Sequence, residues 1–150
     1  MIILKTAVAF CLSLAIIRTS CKNEQVSNDR DLLTTAVWQL EELARNDSRG
    51  NSYYLRGEKN STGINYDAIR IKFNTDGTGF YTTDENRTFP LEWEFKNNKH
   101  DEMILRVNYG GITTYHWKMV VISNHSLYST TSFSDQGEHL MVTTRFIPTR

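Results

Sequence analysis

From residue 36 to residue 146, apolar side chains recur at every second position in run after run, and short turn clusters separate the runs. Alternation of period two is the pattern of a strand with one buried face. The runs are 36–43 (AVWQLEEL), 68–73 (AIRIKF), 79–84 (GFYTTD), 88–95 (TFPLEWEF), 102–109 (EMILRVNY), 112–123 (ITTYHWKMVVIS), 126–133 (SLYSTTSF) and 139–146 (HLMVTTRF). Between them stand turn formers such as Asp76-Gly77, Asn97-Asn98 and Gly110-Gly111. Tight turns between consecutive strands force antiparallel neighbours. Eight such strands with one apolar face predict an all-β, up-and-down antiparallel barrel, which removes its own edges by closing. A two-sheet sandwich is the competing architecture. It favours long crossovers, and the chain has one long connection, 44–65, which predicts a lid or binding loop.

The first 20 residues follow a different pattern. Lys5 is followed by a dozen uncharged, mostly apolar residues, 6–17. A membrane-crossing helix needs about 20, whereas a dozen suits the apolar stretch of a signal peptide. A buried helix is the bland alternative, but no polar stripe breaks the run. Cys11 would leave with such a peptide, so Cys21 is the one cysteine remaining and has no internal disulfide partner. The expected organisation is a signal peptide over 1–20, a polar tether over 21–31 and a domain over 32–150.

Composition excludes some partners. The chain has 150 residues, 39% hydrophobic and 23% charged, with a formal net charge of zero. Lys5 and Arg18 precede Cys21, which leaves 15 basic and 17 acidic residues from there on, a formal charge of −2. No basic surface for nucleic acid is implied.

Two resemblances add to this reading. Thr19-Ser20-Cys21 is similar to the bacterial lipoprotein signal, in a relaxed form resembling that of Bacteroidetes-type bacteria, with Arg18 where an aliphatic residue is usual. The resemblance implies acylation of Cys21 and attachment of the chain to a membrane of the cell envelope, on its periplasmic or surface side. Over residues 32–147 the chain resembles the lipocalin superfamily, in particular the small lipocalin-like domains of bacterial envelope lipoproteins. The likeness rests on Trp38 in the first strand, the long first connection, the hairpins that follow and Arg145 in the last strand; Ala36 stands where lipocalins favour glycine. It implies a barrel closed at one end by Trp38 with Arg145 packed across it, a small apolar or amphipathic ligand inside, and no catalysis.

Phe73, Trp93, Phe95, Tyr115 and Trp117 fall on the inward face, and Tyr53 and Tyr54 on the first connection. These seven are the expected ligand-binding residues. The same rings could instead fill an eight-stranded interior completely, which would make the protein an interaction or structural module of the envelope. Met103 and Met119 read as packing. The four histidines lack ligand spacing, so no metal and no cofactor is expected. Glu92 and Glu94 alternate with apolar residues and read as a solvated face. No nucleophile elbow or phosphate-binding glycine loop occurs, and no enzymatic activity is expected.

Overall fold

The computed structural model describes residues 28–48, 50–58, 60–135 and 138–149. The expected signal peptide, Cys21 and most of the tether lie outside the described residues. Among the described residues nine strands run in chain order: β1 (Val37–Asp47), β2 (Gly50–Leu55), β3 (Arg70–Phe73), β4 (Thr78–Thr82), β5 (Thr88–Phe95), β6 (Glu102–Asn108), β7 (Ile112–Ile122), β8 (Leu127–Asp135) and β9 (Glu138–Pro148). Every pairing is antiparallel. β9 returns to β1, from Trp38 opposite Pro148 to Asn46 opposite Met141, and the sheet closes on itself. β1 and β3–β9 thus form an eight-stranded up-and-down barrel of lipocalin-like build, and the closure rules out the sandwich.

The 44–65 connection is more structured than expected. β1 continues to Asp47 and folds back as β2, with Leu43 opposite Tyr54 and Asp47 opposite Gly50. The sequence hides this hairpin because its residues are polar on both faces, so no alternation marks it. β2 and β3 share one edge of β1, pairing with its later and earlier halves. Residues 56–69 form an excursion between them, and both ends are tied to β1: the Arg56 amide donates to the Glu41 carbonyl (2.9 Å) and the Leu40 amide to that of Ile69 (3.1 Å). Arg56 clamps the base of the excursion. Its Nε donates to the Leu40 carbonyl (2.8 Å) and its Nη1 to that of Asp67 (3.0 Å).

Two bulges reset which side chains face inward. The β1–β9 register shifts between Leu40 and Glu42, so the inward series runs Trp38, Leu40, Leu43. The second bulge lies in β7 between Lys118 and Val121, where Met119 adopts a φ of 50°. An extra residue of this kind inverts the alternation beyond it. Val120 is therefore buried, while Met119 and Val121 are 58% and 59% exposed. This corrects the expectation that Met119 packs inside. In β4, Gly79 has no room for a side chain, since a Cβ there would collide with the Lys72 carbonyl of β3.

One end of the barrel is plugged by a helix, residues 28–35. Leu33 projects from it into the core and is fully buried. Its carbonyl accepts from the Trp38 indole (2.8 Å), and the Lys72 ammonium reaches the Thr34 carbonyl at the helix's last turn (2.6 Å). Such a cation satisfies orphan carbonyls and suits the negative end of the helix dipole. Residues 28–31, assigned to the tether from sequence, are thus helical, and Asp29 and Arg30 engage the barrel. Arg30 lies 4.9 Å above the Trp93 ring and donates to the Thr75 carbonyl (3.0 Å).

Candidate functional site

The interior divides into a solid half and a hollow half. Beside the helix the rings pack edge to face: Phe73 lies 5.5 Å from Trp93, and Trp93 lies 5.6 Å from Phe95. The Trp93 indole donates to the carbonyls of Asn74 and Thr78 at the β3–β4 turn (3.1 and 3.0 Å), and Phe95 stacks on His100 at 3.8 Å. Phe73, Trp93 and Phe95 therefore fill the closed end and do not line the cavity.

Toward the other end the side chains stop filling the space. A cavity of about 190 Å³ remains. Trp117 and Tyr115 of β7 form one wall. Leu43, Leu105 and Val107 face them along with Ile71, and Val142, Thr144 and Phe146 of β9 complete the circuit with Thr131 and Phe133 of β8. Tyr81 also lines it. Antiparallel register explains the grouping. Ile71 stands opposite Tyr81, Leu105 opposite Tyr115, Trp117 opposite Thr131, and Thr131 opposite Val142. Sequence reasoning placed Leu105 and Val107 inside but missed Tyr81 and Thr131. Tyr81 follows Phe80, and only the β3–β4 register shows that Tyr81 points inward and the half-exposed Phe80 outward.

Tyrosines and phenylalanines surround the mouth. The Tyr109 and Tyr115 hydroxyls are 3.2 Å apart, Tyr109 packs edge-on to Phe89 (4.8 Å) and Tyr81 (6.3 Å), and Phe133 meets Tyr115. Burial drives the phenol pKa of both Tyr81 and Tyr109 above the ordinary range, and the Tyr115 hydrogen bond adds to the shift at Tyr109. A second, shallower basin lies outside the rings. It shares Tyr81 and Tyr115 with the cavity and adds Asp84, Glu85 and Arg87. Glu85 and Arg87 pair at 2.7 Å.

The remaining expected site residues separate. Tyr53 stands opposite Ala44 on the outer face, 47% exposed, because strand alternation sends it away from the barrel. Tyr54, next along β2, is buried; its hydroxyl donates to Asp67 (2.5 Å) and its ring meets Tyr66 edge-on. It supports the excursion and does not line the cavity. Trp38 and Arg145 are not brought together. Phe146 points inward, so its neighbour Arg145 points outward, where it pairs with Glu42 at 3.1 Å. Trp38 instead closes its end of the barrel against Leu33. Glu92 and Glu94 lie on the solvated face, with Arg106 2.6 Å from Glu94. Among the described residues no three His, Cys, Asp or Glu side chains gather to hold a metal ion. The chain matches no protein-family model and no curated protein sequence.

Proposed function

We propose that this protein is a lipid-anchored, lipocalin-like binding protein of the cell envelope that holds a small hydrophobic or amphipathic ligand in its barrel. The observation that carries the binding half is the 190 Å³ apolar cavity left above a packed floor. Native interiors are otherwise close-packed, and voids of this size are few. The anchoring half rests on Thr19-Ser20-Cys21, the lipoprotein-like signal, followed by a polar stretch long enough to hold the barrel off a bilayer. Established ligand pockets run from about 300 to 1,000 Å³, so a small molecule, or one end of a longer one, fits best.

Native mass spectrometry of the full chain, purified from its own envelope, tests the binding half. The expected spectrum contains a small neutral mass released on activation. Protein without such a mass, with tight packing around Trp117 in an experimental structure, overturns it. The anchor is tested by Cys21→Ser, which should leave the chain unprocessed by lipoprotein maturation and free of acyl mass. Unchanged processing and membrane attachment in that variant overturns the anchor alone.

A second reading is an envelope interaction module. Phe80 (51% exposed) and Ile112 (70% exposed) flank a shallow groove over Pro90 on the outer face of β4–β7. If this reading holds, Phe80→Ser abolishes capture of an envelope partner and leaves ligand release unchanged.

A further inference from the structure

We propose that the cavity is built for an uncharged, ring-sized or short-chain molecule bearing one hydroxyl or carbonyl, and that the Thr131 hydroxyl is the group that recognises it. This inference rests on the ligand-binding reading above and specifies the ligand's chemistry.

The wall carries four hydroxyl-bearing side chains, and two are already engaged. Thr144 shares a hydrogen bond with Ser129 (2.8 Å), and Tyr115 with Tyr109 (3.2 Å). Tyr81 and Thr131 have no hydrogen-bond partner for their hydroxyls among the described residues. Thr131 is the more telling case, because it is only 7% exposed and lies on the cavity wall. Its oxygen is not sealed in, as the unpaired hydroxyl of its neighbour Thr130 is, and so stays open to a partner arriving in the cavity. Valine would suit the same strand position without offering a hydroxyl to the cavity.

The surroundings of Thr131 supply the rest of a binding site. Its cross-strand neighbours are Trp117 on one side and Val142 on the other. A ligand ring or short chain can lie on the indole while its polar atom meets the threonine. The volume suits that size, since a dry cavity of about 150 Å³ accepts benzene.

The described lining offers no partner to a charged group. Among the described residues the cavity lining holds no Asp, Glu, Lys, Arg or His side chain. An ion placed there would lose its hydration without compensation. Charged side chains do line the basin beyond Tyr81 and Tyr115, where Asp84, Glu85 and Arg87 stand. A charged group on the ligand is therefore confined to the mouth.

Three matched probes test this: 4-methylphenol, toluene and 4-methylbenzoate, titrated into the full chain and followed by the Trp117 indole resonance. The expected order places 4-methylphenol about tenfold tighter than toluene, the worth of one neutral hydrogen bond. The benzoate is expected to bind weakest. In Thr131→Val the preference for the phenol over toluene should fall to nearly nothing, and in Thr131→Ser, which keeps the hydroxyl, it should persist. Urea unfolding of both variants verifies that they fold. If toluene equals the phenol in the native protein, or the preference survives Thr131→Val, the recognition role is overturned and binding is left standing. If the benzoate binds as tightly as the phenol, the uncharged class is overturned. If no probe moves Trp117, this inference and the binding reading fall together.

Discussion

Tyr53 and Tyr54 are neighbours in the chain with opposite roles, and the difference is one step of strand parity. Tyr54 turns inward and gives its phenol proton to a hydrogen bond with Asp67, beside Arg56. Burial, then the Asp67 bond, raises its pKa from 10.0 to about 12, with Arg56 opposing. A phenol in the unfolded chain ionises near 10.0, so between 10.0 and about 12 the folded state holds a proton that the unfolded state has released. The contribution is complete below pH 10 and is lost as pH rises through 12. Tyr81 and Tyr109 shift in the same direction for the same main cause. Stability measured by urea unfolding should therefore fall steadily above pH 10, and Tyr54→Phe should flatten part of that fall. A stability that stays level from pH 10 to 12, in native protein and variant alike, would show that Tyr54 titrates as if exposed. Residue roles of this kind were only partly legible. The alternation in β5 and β6 shows directly in the sequence because charged and apolar residues strictly trade places there. Tyr54 does not stand out, because β2 is polar around it and its partner Asp67 is 13 residues away.

Among the elements, the helix over 28–35 carries more of the fold than its length suggests. Isolated helices this short are marginal in water. Leu33 in the barrel floor, Lys72 on its last carbonyls and Arg30 over Trp93 hold it in place. Leu33→Ala removes a fully buried side chain from a packed floor and should cost about 2–5 kcal/mol in urea unfolding. A loss under about 0.5 kcal/mol, the range of ordinary surface substitutions, would mean that the helix does not seal the barrel. The sequence conceals this element because one apolar pair, Leu32-Leu33, among polar neighbours gives no helical period. The bulges were equally invisible. In β7 the run MVVI satisfies either register, and it is the tie from the Val120 amide to the Asp101 carbonyl (2.9 Å) that selects which residues go inside. The barrel strands were legible where hairpin turns and alternation agreed; irregular pieces depend on contacts distant in sequence, which no local pattern contains.

For the molecule as a whole, the decisive asymmetry is between a barrel end packed with Leu33, Trp38, Phe73 and Trp93 and an end left hollow around Trp117. A fold selected for stability alone would fill both, since filling a cavity commonly gains about 0.5–2 kcal/mol. The hollow half should therefore respond to mutation in a way the floor does not. Val142 lies on the cavity wall opposite Thr131. Val142→Leu adds one methylene to empty space, where it gains apolar burial worth about 0.8 kcal/mol without displacing a neighbour. Urea unfolding should show the variant more stable than the native protein, and titration with 4-methylphenol should show weaker binding, because the same space can hold a side chain or a ligand. Loss of stability in Val142→Leu would mean that this half is as tightly packed as the floor. Increased stability with undiminished binding would place the ligand elsewhere. Only the paired result, stability gained and affinity lost, assigns the empty half of the barrel to binding.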